Sequence, residues 1–98
     1  MVMGFNTSST TQCSAIQMVS KIGAAPQSGF VMVKQSPGVN QDFSCGTCRW
    51  GDYSGATPDP LADMTQPVGR VWLTNEWNVA SANSSDTDWR TENWEATP

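Results

Sequence analysis

Tyr53, Glu76, Asp59 and the arginines Arg49, Arg70 and Arg90 are the residues in this chain whose types come closest to a reaction centre. A tyrosine nucleophile backed by a glutamate, an acidic aspartate and guanidinium groups gripping a carboxylate can together hydrolyse a glycoside. A count of residues does not place them in one site, and Arg70 and Arg90 fall on different expected strands. The chain has 0 histidines, which removes the commonest general base and the commonest transition-metal ligand together. The expectation is therefore a protein that is not an enzyme. Arg49 and Asp52 are read as an ion pair that locks a structural corner with Trp50 and Tyr53, the commoner use of such a pair.

The other chemistry-bearing residues point toward structure or binding. Cys13, Cys45 and Cys48 are an odd set, and one Cys-x-x-Cys without a second pair or a histidine falls short of the four ligands zinc takes. They are disulfide candidates: Cys45 with Cys48, or Cys13 with one of them, leaving the third for another chain. No metal site is expected from them. Calcium is the one cofactor admitted, through the loop carboxylates Asp59, Asp63, Asp86 and Asp88, although no EF-hand spacing is present and solvated loop acids are the default. Tryptophan at strand positions is usually core. Trp77 and Trp94 are the expected exceptions, exposed to stack on a glycan. Asn6 and Asn83 head glycosylation sequons.

The bulk of the chain sets the frame for these residues. Its 98 residues make one domain, and only 14% are charged, against about 25% in typical soluble proteins. Serine, threonine, asparagine and glutamine fill the gap, a surface suited to work outside the cell or on its surface. Five tryptophans and three phenylalanines are too much apolar area for a disordered tail. The net charge of −4, with scattered basic residues, argues against nucleic acid. No apolar run approaches the ~20 residues of a membrane span. The first residues lack the basic and apolar regions of a signal peptide. A secreted form would have lost one; otherwise the chain is a piece of a longer polypeptide.

Six strand candidates position these groups. Met1 to Phe5 reads as a short strand followed by a polar turn from Asn6 to Thr11. Ala15 to Ile22 is a half-buried strand by its period of two. Gly29 to Gln35 is β-branched and apolar, hence a well-buried strand. Arg49 to Pro60 is a corner and an inner strand, ended by prolines that cannot donate backbone hydrogen bonds. Arg70 to Asn78 alternates, with Val71, Leu73, Asn75 and Trp77 on one side and Arg70, Trp72, Thr74 and Glu76 on the other, both sides covered. Trp89 to Ala96 closes the chain. Trp72 and Trp77 are five residues apart, as are Trp89 and Trp94. An odd separation splits each pair across the two faces of its strand. The fold class is all-β.

The run Arg49-Trp50-Gly51-Asp52-Tyr53-Ser54-Gly55, then Asp59-Pro60, then Val71-Trp72-Leu73-Thr74-Asn75-Glu76-Trp77 and Trp89-Arg90-Thr91, resembles a blade of secreted bacterial and archaeal β-propeller-like proteins. Gly4-Phe5-Asn6-Thr7-Ser8-Ser9 looks like the start of the preceding blade. The resemblance implies antiparallel sheets amounting to one to two blades: a partial blade over 1–35, a loop with the Cys-x-x-Cys over 36–48, and a blade over 49–98. Propellers close with about 4–8 blades, so this chain is incomplete as a ring on its own. Bare strand edges are a template for further pairing. The resemblance therefore implies an extracellular structural or interaction module. It would assemble with copies of itself, as a homo-oligomeric ring or a filament, or with the rest of a larger propeller protein. The alternatives are a carbohydrate-binding module and a fragment of a sialidase-like propeller glycosidase built on the tyrosine set above.

Overall fold

The computed structural model describes residues 1–39, 46, 50–61, 69–79 and 89–97. The fold is all-β, with six strands among the described residues, in two antiparallel sheets of three. Strands β1 (Val2–Ser9), β2 (Gln12–Ser20) and β3 (Val31–Gln35) form the first sheet in the order β1-β2-β3. Strands β4 (Gly55–Pro58), β5 (Val71–Asn78) and β6 (Trp89–Ala96) form the second in the order β4-β5-β6. Each sheet is a meander, because each strand pairs only with its neighbours in sequence.

All six expected strands are present, and their departures from expectation have physical causes. β1 continues through the stretch expected to be a turn: Asn6 pairs with Ile16, Thr7 with Ala15 and, past a bulge, Ser9 with Gln12. Side-chain bonds hold these polar residues in the strand. The Gln17 amide donates to Thr7 Oγ1 at 3.1 Å, and the Thr11 backbone N–H donates to Ser9 Oγ at 3.2 Å in the tight turn. β3, expected to be well buried, is a mostly exposed edge strand, since nothing among the described residues covers its outer face. β4 is an exposed edge rather than an inner strand; β5 holds the centre of that sheet.

The sheets pack face to face. Ile16, Leu73, Trp94 and Ala96 form the buried apolar centre, and Val2, Met18, Val33, Val71 and Trp77 pack around it. Gly4 is where the backbones come closest. A Cβ there would lie 2.6 Å from Trp94 Cζ2 and 3.0 Å from both Asn75 Oδ1 and Leu73 Cδ2.

Beside this apolar half runs a polar one. Asn75 Nδ2 donates to Asn6 Oδ1 at 3.1 Å, Trp94 Nε1 donates to Asn75 Oδ1 at 3.3 Å, and Asn6 Nδ2 donates to the Glu76 carbonyl at 2.6 Å. At the next turn of the seam, Ser14 Oγ lies 2.6 Å from Asn78 Oδ1 and 3.0 Å from Ser36 Oγ, and the Asn78 backbone N–H donates to Ser36 Oγ at 3.0 Å. A serine has one hydroxyl proton. Ser14 therefore donates either to the nearer Asn78 Oδ1 or to Ser36 Oγ, not to both at once. Ser36→Ala takes away that hydroxyl and the acceptor of the Asn78 N–H, so a loss of about 2 kcal/mol in urea-unfolding stability is expected. A loss below about 0.5 kcal/mol, the level of an ordinary surface change, would show the network to be dispensable.

Candidate functional site

The corner at Trp50–Gly51 is held against β5 by a bond from the Gly51 backbone to the Glu76 side chain. Gly51 adopts φ +79°, a left-handed conformation that glycine takes without steric cost. Its N–H donates to Glu76 Oε2 at 2.6 Å. Glu76 is 4% exposed, and among the described residues none donates to its Oε1. Trp50, Gly51, Asp52, Tyr53, Glu76 and Trp89 line a recess of about 90 Å³.

Strand register puts two of these groups together. Asn78 pairs with Trp89 and Glu76 with Thr91, so Glu76 and Trp89 are diagonal neighbours on the outer face of the second sheet. The Tyr53 and Trp89 rings stand 6.3 Å apart and within 21° of parallel. Both are open to solvent, Tyr53 at 69% and Trp89 at 50%. The Trp50 indole N–H is cut off from solvent and has no hydrogen-bond acceptor among the described residues. On its other side Trp50, with Gly51 and Ser54, lines a polar cleft of about 410 Å³ against β1 and Asn75.

The expected site residues are distributed differently. Trp94 is buried in the core and Trp77 is half-buried beneath Lys34, whose ammonium sits 4.3 Å from the ring centroid and 3.3 Å from Glu92 Oε2. Neither is an exposed sugar platform, which corrects that expectation. The exposed tryptophans are Trp72 and Trp89. The parity argument did split each pair correctly: Trp77 and Trp94 face the core, while Trp72 and Trp89 share the outer face.

Of the glycosidase set, Tyr53 and Glu76 share the recess, but Asp59 does not join them. Asp59 Oδ2 lies 3.6 Å from Arg70 Nε, and the Asp59 N–H donates to the Arg70 carbonyl at 2.9 Å. Arg70 also bonds Glu95 at 3.2 Å. Arg70 directly precedes β5 and is six residues from Glu76, or roughly 20 Å along a strand. Arg90 pairs with Trp77 and so belongs to the opposite face of the sheet from Glu76.

Asp59 is an ion-pair and turn residue, also accepting the Leu61 N–H at 2.9 Å. Among the described residues no group of three acidic or cysteine side chains could hold a metal. Cys13 carries a free thiol, and its expected partners Cys45 and Cys48 lie outside the described residues. Asn6 has its amide engaged between the sheets, so a glycan on that nitrogen is incompatible with the packing. Arg49, Cys45, Cys48, Asp63, Asn83, Asp86 and Asp88 lie outside the described residues. Asp52 and Tyr53 are exposed, with Tyr53 stacked on Trp89 rather than buried in a corner.

Comparison with known proteins found no matching family model, no matching curated protein and no matching solved structure.

Proposed function

We propose that this chain is a structural or interaction module that works outside the cell and associates with copies of itself through the outer face of its first sheet. The observation that carries this reading is the contrast between the two outer faces. On the second sheet that face presents Thr74, Thr91, Asn93 and Glu95 beside Trp72 and Trp89. On the first it presents Met3, Phe30 and Met32, each more than half exposed, over a buried Val19. Phe5 meets Phe30 edge-on at 5.6 Å and 72° within this patch. Contiguous exposed apolar side chains, methionine among them, are the usual mark of an association surface.

The shape agrees. The Cα radius of gyration is 15.8 Å, against roughly 13 Å for a compact domain of 100 residues. Among the described residues β3 leaves one edge of the first sheet open, so strand addition along it is a second way for a copy to attach. Light scattering without reductant is expected to give a mass at multiples of 10.6 kDa that falls toward one chain in Phe30→Ser/Met32→Glu. Wild-type protein that stays at one chain mass at high concentration would rule out self-association and leave the rest of a longer polypeptide as the covering partner.

A further inference from the structure

We propose that the cleft between β1 and the Trp50–Gly51 corner binds an extended, uncharged peptide segment of a partner protein, which joins the first sheet as a strand beside β1. The bonding pattern of β1 shows which main-chain groups face the cleft. Met1 and Lys21 exchange both their bonds: the Lys21 N–H donates to the Met1 carbonyl at 2.8 Å, and the Met1 amino nitrogen donates to the Lys21 carbonyl at 2.7 Å. In an antiparallel pair, positions that exchange bonds alternate with positions that turn both groups the other way. The register runs without a shift from Val2↔Ser20 to Thr7↔Ala15. Met3, Phe5 and Thr7 therefore bond β2, while Val2, Gly4 and Asn6 direct their N–H and C=O away from it. β1 is an edge strand, and among the described residues nothing bonds the outward main-chain groups of Gly4 and Asn6.

The polar cleft lies along this open ladder. Residues 4–8 line one side, and Trp50, Gly51 and Ser54 line it from the corner. Its volume of about 410 Å³ is within the ~300–1,000 Å³ of ligand clefts, and five residues of edge span roughly 13 Å. A single strand fits this space. Two copies joined edge to edge through β1 would bring two such corners into it, so the occupant is a segment of a different protein.

The groups on offer select the ligand class. Paired donors and acceptors recur every second residue, about 6.6 Å apart, which is the repeat of another strand's main chain. None of the residues lining the cleft is ionisable, so nothing in it answers a phosphate, a carboxylate or an ammonium group. Phe5 sets a side-chain preference. The peptide residue opposite it falls in a non-hydrogen-bonded pair, where side chains approach most closely, and a β-branched residue suits an aromatic there. Its neighbours, opposite Gly4 and Asn6, turn toward the second sheet and the corner, where small residues fit. Both sides of the cleft are fixed before any ligand arrives. The Asn6 amide is bonded to the Glu76 carbonyl and to Asn75, and the Gly51 N–H is bonded to Glu76 Oε2. Such preorganisation reduces the entropy lost on association.

The test is amide hydrogen exchange and titration of the intact chain, followed by NMR, with the heptapeptide acetyl-Ser-Thr-Ser-Val-Ser-Thr-Ser-amide as probe. In the free chain the Gly4 and Asn6 amides are expected to exchange at least about tenfold faster than those of Phe5 and Thr7, and saturating peptide to slow them at least about tenfold. With the valine opposite Phe5, the N–H groups of peptide residues three and five face the protein. N-methylation of those two should weaken binding at least about tenfold, and N-methylation of residues four and six by no more than about twofold. These peptides test the ladder without altering the protein. Ser54→Trp, at an exposed position across the cleft, should block the peptide, with circular dichroism confirming the fold. Phe30→Ser/Met32→Glu keeps the ladder and should still bind, so failure of this site and failure of self-association through the first sheet are read separately. Gly4 and Asn6 amides as protected as Phe5 in the free chain, no binding at about 1 mM peptide, or equal weakening by the two N-methylation patterns would each overturn the proposal.

Discussion

Gly4→Ala is expected to destabilise the protein by about 3 kcal/mol, the upper end of the range for overpacking a close contact. In a chain of 98 residues that is a fall of roughly 12–24 °C in melting temperature. Local preference alone points the other way, because glycine in the interior of a strand is worse than alanine by about 0.5–1 kcal/mol. The contact is larger. The new methyl would stand 2.6 Å from Trp94 Cζ2, and Leu73 and Asn75 close the other sides at 3.0 Å. The indole cannot easily turn away, because its Nε1 is bonded to Asn75 in the buried seam. Gly4 has no left-handed φ, so its requirement is for space and not for backbone freedom. Trp94→Phe removes the atom the methyl meets. In that background Gly4→Ala should cost about 1 kcal/mol less than in wild type, the size of coupling found for residues in contact. Equal cost in both backgrounds, read from urea unfolding, would remove the ring as the cause.

This contact also shows how far the sequence could be read. Strand existence was legible, because period-two alternation and prolines are local signals. The parity of Trp72 with Trp77, and of Trp89 with Trp94, correctly put one of each pair on each face. Which face becomes the core is a tertiary matter. Trp94 is buried where Gly4 lets the first sheet come close, and Trp77 packs against the core with Lys34 of β3 over its ring. β3 itself misled for the same reason. Its apolar run signals burial, but the edge position leaves Met32 exposed. The recess was half legible. The corner Trp50–Tyr53 stood out by composition, whereas Glu76 and Trp89 join it through a sheet register that no local pattern announces.

Asn75→Ala is expected to cost more than any surface change in the chain, about 4 kcal/mol. The estimate follows from two orphaned groups at about 1–3 kcal/mol each. Asn75 is 2% exposed, in the middle of β5. Its Oδ1 accepts from the Trp94 indole and its Nδ2 donates to Asn6 Oδ1, so it joins the core tryptophan to the opposite sheet. Truncation leaves a buried indole N–H and an amide oxygen without partners, and adds a cavity. The asymmetry of hydrogen-bond energetics supplies the control. Removing one partner strands the other in a dry place, whereas removing both together costs much less than the sum. Asn75→Leu alone should therefore be strongly destabilised, and Asn75→Leu/Trp94→Phe less so than the two single losses added, by about 1 kcal/mol or more. Additive losses in that cycle, or a loss below about 1 kcal/mol in Asn75→Ala, the centre of the range for ordinary substitutions, would mean that the amide seam does not hold the sheets together.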